Sequence, residues 1–145
     1  MSVQLPNIIN FLMYLSTAIP LMILGIYVFT HTTPYDDFAL IRSGGEVESV
    51  GRVDAAIAAA LDICGKVLGL TMVIASAIWH AVNISDLFLW GVIGIVVEVL
   101  VFCLLRCIVP LKVIEEIPKG NISVGLFSAT ISVASGLLLA ALLSY

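Results

Sequence analysis

Three ionisable residues lie in stretches of sequence that are otherwise apolar enough to cross a lipid bilayer. Asp62 and Lys66 share one such stretch, and Glu98 lies near the middle of the next one. A charged side chain at the bilayer centre costs about 2.5–3.5 kcal/mol on insertion scales, so it is kept mainly where it pairs or takes part in function. Two carboxyl groups around one ammonium leave a negative charge, and in an apolar site one of them should bind a proton more readily than in water. These residue types therefore indicate a proton-binding or ion-binding site.

Four apolar segments must position these residues. The chain is 61% hydrophobic and 11% charged, with a mean hydropathy of +1.19, whereas soluble domains carry about 25% charged residues. A membrane-spanning helix needs about 20 apolar residues, and four segments reach that length: 8–30, 54–80, 87–109 and 122–143. Because a backbone in lipid must satisfy its own hydrogen bonds, we predict that all four are helices. The chain is thus predicted to be one all-α integral membrane domain over residues 1–145.

The positively charged residues indicate how the spans are oriented. Four spans place both chain ends and the 82–86 loop on one side, and the loops at 31–53 and 110–121 on the other. The first side carries no Lys or Arg, whereas the second carries Arg42, Arg52, Lys112 and Lys119. By the positive-inside rule, the loops at 31–53 and 110–121 are predicted to be cytoplasmic and both termini to be outside.

The second half of the chain is similar to the first half. At a shift of about 76 residues, Pro34 aligns with Pro110 and Gly44 with Gly120. We therefore predict two tandem two-helix repeats, over residues of about 7–82 and about 86–145. Each repeat contains two spans, so the two halves are expected to have the same orientation in the membrane.

Each predicted repeat carries an apolar stripe after its first span. The stripes are Tyr35, Phe38 and Ile41 in the first repeat and Leu111, Ile114 and Ile117 in the second. This spacing predicts short amphipathic helices lying on the inner membrane surface. In the first repeat we expect Thr33 to cap the helix and Pro34 to be its first residue. The alternative is an irregular loop that dips the same side chains into the interface.

The depths of the charged residues suggest that they meet. At 1.5 Å per residue, Lys66 lies about 18 Å along the second span and Glu98 about 16 Å along the third. Asp62 lies one helical turn from Lys66 on the same face. We therefore expect Lys66 to lie between Asp62 in its own helix and Glu98 across the helix pair.

This cluster has three interpretations. The charges can fix helix register as a structural pair, form a proton or ion pathway, or lie on a polar face at a subunit contact. In the pathway interpretation, His80 at the outer end of the second span is a candidate proton exit. The alternative for His80 is a wetted histidine at the membrane interface.

Small residues at helical spacing indicate where helices pack closely. They are Gly65 and Gly69 in the second span and Gly125, Ala129, Ser132 and Gly136 in the fourth. Small side chains let helix backbones approach one another in a membrane. Four helices enclose no wide pore, so conduction would need an oligomer or a narrow proton wire.

The sequence lacks the motifs of several other functional classes. Ser123 lies in G-x-x-S-x-G, which is not the spacing of a nucleophile elbow. The three cysteines lack the spacing of a metal site. The sequence also has no run of basic residues of the kind that binds nucleic acid. We therefore expect no enzymatic activity, no metal, no cofactor and no nucleic-acid partner, with the lipid bilayer as the surroundings.

Several motifs occur in order along nearly the whole chain. They include Thr33-Pro34-Tyr35-Asp36, Asp86 with Trp90-Gly91, and Gly120-Asn121 with Gly125-Leu126-Phe127. In them the chain resembles the YjfL-type family of bacterial inner-membrane proteins, domain of unknown function 350. The resemblance implies a small, internally duplicated four-helix protein of the inner membrane, without an established activity. It also implies a role in envelope stress, since members are often encoded beside phage-shock-type membrane-maintenance proteins.

The chain departs from this family pattern at the ionisable positions. The family usually has small or hydroxyl residues at the positions of Asp62 and Lys66, and glutamine at the position of Glu98. Our leading hypothesis is a non-enzymatic inner-membrane protein that supports envelope integrity as a homo-oligomer and docks a cytoplasmic membrane-maintenance protein. The alternative is a small oligomeric proton or ion channel or transporter that uses these three residues.

Overall fold

The computed structural model describes residues 4–45 and 50–143. Over these ranges the chain forms helices and no strand. The helices are α1 (Gln4–Thr32), α2 (Asp37–Ser43), α3 (Val50–His80), α4 (Ile84–Ile108), α5 (Val113–Glu116) and α6 (Ile122–Leu142). The all-α prediction is confirmed. Part of the loop predicted at 31–53, residues 46–49, lies outside the described residues.

Four of the described helices, α1, α3, α4 and α6, are long and apolar enough to cross a membrane. Their bounds differ from the predicted spans by a few residues. The start of α4 is set by Asn83, whose side chain accepts a hydrogen bond from the backbone N–H of Asp86 at 2.9 Å. The Asp86 carboxylate accepts in turn from the Val82 N–H at 3.3 Å. These polar caps begin the helix three residues before the apolar run does.

The α3 helix forms the centre of the bundle and packs against α1, α2, α4 and α6. Of its most apolar 18 residues, 56% are buried, against 11% for α1. The core contains large aliphatic side chains from three helices, including Leu21, Leu70 and Leu87. Most of the α1 surface is therefore left for lipid or another protein to cover.

The two helices α3 and α6 run in the same direction in close contact. A Cβ at Gly65 would collide with Ala129, and one at Gly125 would collide with the backbone of Ala58. Further along, Gly136 lies directly against Gly69. Because any larger side chain would separate the backbones, glycine at these positions brings α6 close to the charged face of α3.

The short helices α2 and α5 lie together where α3 and α6 begin, which we call the α2/α5 end. Val113 and Ile117 pack there with Ala58, Ala59 and Val124. The turn between α3 and α4 lies at the opposite end. The internal repeat, and the side of the membrane on which each end lies, stay predictions.

The α2 helix begins later than the sequence suggested. Its N-cap is Asp36, whose carboxylate accepts from the Ala39 N–H at 3.0 Å, and its first residue is Asp37. The predicted start at Thr33 and Pro34 is wrong, because Thr33 still bonds to the last turn of α1 through the Phe29 carbonyl oxygen.

The two predicted surface stripes are only partly on the surface. Phe38 and Leu111 are exposed, and Tyr35, Ile41 and Ile114 are partly buried. Ile117 is fully buried. The prediction of a surface position for Ile117 is wrong because α5 ends at Glu116, after which Ile117 turns into the core.

Candidate functional site

A buried ion pair lies between Asp62 and Lys66. Lys66 Nζ is 2.6 Å from Asp62 Oδ2, and the two residues are 2% and 0% exposed. They are four residues apart in α3, so they share one face of that helix. This is the contact that the spacing predicted. Because both charges are withdrawn from solvent, neighbouring groups must replace the water that each has lost.

The Asp62 carboxylate has donors from three parts of the chain. Lys66 donates to Oδ2, and the Tyr35 hydroxyl donates to the same atom at 2.9 Å. The Ser128 hydroxyl of α6 donates to Oδ1 in a short hydrogen bond. Charge-assisted hydrogen bonds of this kind are stronger than those between neutral groups. The ion pair therefore joins α3 to α6 and to the segment that links α1 with α2.

The Lys66 ammonium contacts two further groups besides Asp62. It donates to Thr33 Oγ1 at 3.1 Å, and it lies 3.9 Å from the centroid of the Phe102 ring in α4. A cation over an aromatic face is stabilised by the ring quadrupole, more so when it is desolvated. Lys66 is thus held by α3, by α4 and by the segment that follows α1.

Glu98 does not join this cluster. It is 2% exposed, but Lys66 pairs with Asp62 and not with Glu98. The Ser135 hydroxyl of α6 lies 3.1 Å from both Glu98 carboxylate oxygens. The expectation that Lys66 lies between two carboxylates therefore holds for Asp62 and fails for Glu98. The aromatic ring of Phe102, one turn further along α4, occupies the position beside the ammonium.

A different carboxylate, Asp37 of α2, approaches the ion pair. It is 1% exposed, and neither of its carboxylate oxygens has a hydrogen-bond partner among the described residues. Burial raises the pKa of Asp37 to about 7, and Asp62 and Asp36 act in the same direction, whereas Lys66 opposes them. Sequence reasoning missed this residue. The available signal was its alignment with Val113, an apolar position in the second half of the chain.

Three serines on α6 lie along the side of this region. Ser128 contacts Asp62, Ser135 contacts Glu98, and the buried Ser132 lies between them. Ser135 also donates to the Ser132 carbonyl oxygen at 2.8 Å. The first and last of these serines are about 10 Å apart along the helix axis. A row of hydroxyl-bearing residues therefore runs from the ion pair to Glu98.

A surface pocket of about 430 Å³ lies next to the ion pair at the α2/α5 end. Its lining includes His31, Asp36 and the two residues that touch the buried charges, Thr33 and Tyr35. Burial, and then the nearby carboxylates, raise the pKa of Tyr35, so its hydroxyl stays a donor. These two hydroxyl side chains connect the pocket with the ion pair.

His80 lies apart from both carboxylates of the membrane interior. It is exposed at the opposite end, where it and Asp86 line a pocket of about 240 Å³, and its Nδ1 is 2.9 Å from the Ser76 carbonyl oxygen. The buried side chain of Val73 lies on α3 between His80 and the level of Glu98. No hydrogen-bonded link joins His80 to Glu98 within the described residues.

Comparison with known proteins identifies the family. The model of a domain of unknown function, DUF350, matches residues 2–143. The chain belongs to this family. The DUF350 match confirms the resemblance noted in the sequence.

Relatives of this DUF350 chain are membrane proteins. It is 28% identical over 141 residues to the inner membrane protein YjfL of Escherichia coli strain K12, covering 97% of this chain and 98% of YjfL. It is also 28% identical over 129 residues to the transmembrane protein YshE of Bacillus subtilis strain 168, covering 88% of each. No solved structure matches. With its four apolar helices, this DUF350 chain is a multi-pass inner-membrane protein.

Proposed function

We propose that this protein binds and relays protons inside the membrane through its buried polar groups. The observation that supports this most is the Asp62–Lys66 pair, which is withdrawn from solvent yet contacts two hydroxyl residues that line a surface pocket. A proton relay needs such a series of exchangeable groups within hydrogen-bond distance. The proposed role is non-enzymatic.

The proposed route begins at the pocket and passes through Tyr35 and Thr33 to the ion pair. From there the serine row of α6 leads toward Glu98. Beyond Glu98 no hydrogen-bonded link leads to His80 within the described residues, so the relay would be completed by a conformational change or by a second copy of the chain. Ionisable residues in membrane interiors commonly mark such proton pathways.

The competing interpretation is that the ion pair only fixes the position of α3. Removing one member of a buried pair costs about 3–5 kcal/mol, whereas replacing both by apolar residues is often neutral. A structural pair requires no contact with surface-accessible groups. The links through Tyr35 and Thr33 to the pocket therefore favour the relay.

A second candidate function is a scaffold that supports the envelope as a homo-oligomer and docks a cytoplasmic partner. It is favoured by the largely uncovered surface of α1 and by the exposed Phe38 and Leu111 at the α2/α5 end. Such apolar surfaces suit helix–helix contacts or a membrane-bound partner.

Proton flux into liposomes tests the relay. Purified protein is reconstituted, a pH gradient and a membrane potential are imposed, and a pH dye inside reports entry. We expect flux from the native chain and its loss in Glu98→Gln. Glu115→Gln is the control, because it neutralises an exposed carboxylate outside the cluster. Equal flux from native protein and empty liposomes, with the helical fold verified by circular dichroism, would overturn the relay.

A further inference from the structure

The second carboxylate of the charged cluster is Asp37 rather than Glu98. Its side chain is buried on the side of α2 that packs against α3, and neither oxygen meets a donor in the described part of the chain. The charged and titratable groups that act on it are Lys66 and Asp62 of α3, and Asp36 and Tyr35 of its own segment. Only one of these is a cation.

The charge count decides which form of Asp37 fits this site. Lys66 is already engaged by Asp62 at 2.6 Å, so the pair is neutral and an ionised Asp37 would add an uncompensated buried charge. A buried charge without a partner is costly, and the group takes up a proton instead. A protonated Asp37 leaves the observed Asp62–Lys66 contact undisturbed.

We propose that Asp37 is a proton-binding site, and that its charge controls how α2 packs over the Asp62–Lys66 pair. With the proton bound, α2 rests on α3, where Gly44 fits against Ala56. Without it, the ionised Asp37 carboxylate is a buried charge with no hydrogen-bond donor among the described residues, and its need for hydration weakens the contact of α2 with α3. The direction of the pKa shift agrees, since burial raises the pKa of Asp37 to about 7.

This site has a place in the proposed relay. Tyr35, on which the charge of Asp37 acts, lines the surface pocket, so the protonation of Asp37 would influence the transfer of a proton from the pocket through Tyr35 toward Asp62. That role rests on the proposed function. The binding of a proton to Asp37 does not, because a site can take up a proton without passing it on.

Difference infrared spectroscopy on the full chain in liposomes tests the proposal. Glu98→Gln serves as the background, because Glu98 is the other buried carboxyl of the described residues besides the ion-paired Asp62. Between about pH 5 and about pH 9 we expect the carbonyl band of a protonated carboxylic acid to disappear with a midpoint near neutrality. The band should be absent in Asp37→Asn and in Asp37→Val, and it should persist in the exposed control Glu115→Gln. A band that survives both Asp37 substitutions, or the absence of any band in the background protein, would overturn the proposal.

Hydrogen exchange of the α2 amides, corrected for the intrinsic pH dependence of exchange, tests the coupling. We expect protection of the Leu40 amide to fall about tenfold as Asp37 ionises, and to be independent of pH in Asp37→Val. Equal pH dependence in both proteins would overturn the coupling. Proton flux judges the relay separately. If flux is measured but Asp37 does not titrate, only this inference is refuted. If Asp37 titrates but no flux is measured, only the relay is refuted.

Discussion

The bundle has two corners at the same end that correspond in the predicted repeat. The α2 corner is formed by Asp36 and α2, and the α5 corner by Lys112 and α5. At the shift of about 76 residues, Asp37 aligns with Val113, and both side chains are buried. Val113 packs in an apolar cluster, whereas neither carboxylate oxygen of Asp37 has a hydrogen-bond partner in the described part of the chain, although an ion pair lies beside it. A side chain buried at this position therefore does not need to be polar. The acid in the α2 corner is better explained by proton binding than by folding.

The same comparison explains why α2 is longer than α5. The N-cap of α2 is Asp36, and its carboxylate accepts from a backbone N–H of the first turn. The aligned residue at the start of α5 is Lys112, which has no side-chain acceptor and adopts a left-handed conformation with φ 44°. Without a cap, only the four residues Val113–Glu116 form a helix.

The largest expected effect comes from breaking the Asp62–Lys66 ion pair, which lies beside the α2 corner. Lys66→Met leaves Asp62 as a buried, unpaired carboxylate, so we expect stability to fall by about 3–5 kcal/mol. The double variant Asp62→Leu/Lys66→Met should recover most of this loss. Unfolding in mixed micelles measures the stability of the single and the double variant. A double variant as unstable as the single one would contradict this account of the pair.

Exchanging the aligned residues tests the comparison directly. The pKa of Asp37 is raised from 3.8 to about 7, so the folded protein keeps a proton that the unfolded chain releases. Stability then decreases as the pH rises from about 4 to about 7, and levels off above that. Asp37→Val should remove this slope and stabilise the protein by about 1–3 kcal/mol at pH 8. Denaturation midpoints across this pH range measure the slope. If Asp37→Val kept the pH dependence of stability seen in the native chain, the assignment of this dependence to Asp37 would be contradicted.

The reciprocal exchange sharpens the comparison. Val113→Asp places a carboxylate in an apolar cluster that contains no ion pair, so we expect a stability loss of at least about 2 kcal/mol at pH 8 that lessens in acid. The same denaturation series measures it. A neutral outcome would mean that the two corners tolerate a buried carboxylate equally.

Exchanging the caps should have a smaller effect. Asp36→Ala removes the N-cap acceptor of α2 and should cost about 1 kcal/mol, whereas Lys112→Asp supplies one to α5 and should stabilise its first turn. Hydrogen exchange of the amides at Ala39 and Glu115 reports the two helices separately. Unchanged protection in both would show that the caps do not set the helix lengths.

The smallest expected change in stability comes from removing a single hydroxyl group. Tyr35→Phe removes one donor from Asp62 and should lower stability by about 0.5–1.5 kcal/mol, with a larger proportional loss of proton flux. Tyr27→Phe is the matched control, since its hydroxyl lies near His31 on the exposed side of α1. Equal flux in the two variants would exclude Tyr35 from the relay.

Much of the architecture follows from local sequence. Apolar segment length predicted the four long helices, and the four-residue spacing of Asp62 and Lys66 predicted their contact, because both signals depend on neighbours along one helix. The partners of the pair were not predictable in this way. Tyr35, Ser128 and Phe102 reach it from other segments, so the rotation of each helix about its axis had to be known.

The expected role of Glu98 shows the same limit. Its depth along α4 matches that of Lys66, but depth does not say which face of α4 points toward α3. Phe102 on α4 points at the ammonium, and Glu98 points toward Ser135 of α6. Asp37 was missed for another reason. It lies between two residues of the predicted apolar stripe, in the connection between two spans, where a carboxylate is ordinarily exposed.

Proton flux through the paired neutral variant tests the central claim most directly. Asp62→Leu with Lys66→Met keeps the bundle packed and removes both charges, so a structural pair and a relay make opposite predictions for it. The relay predicts that the reconstituted double variant loses proton flux while its unfolding midpoint stays near that of the native chain. Native-like flux from a folded double variant would contradict the relay.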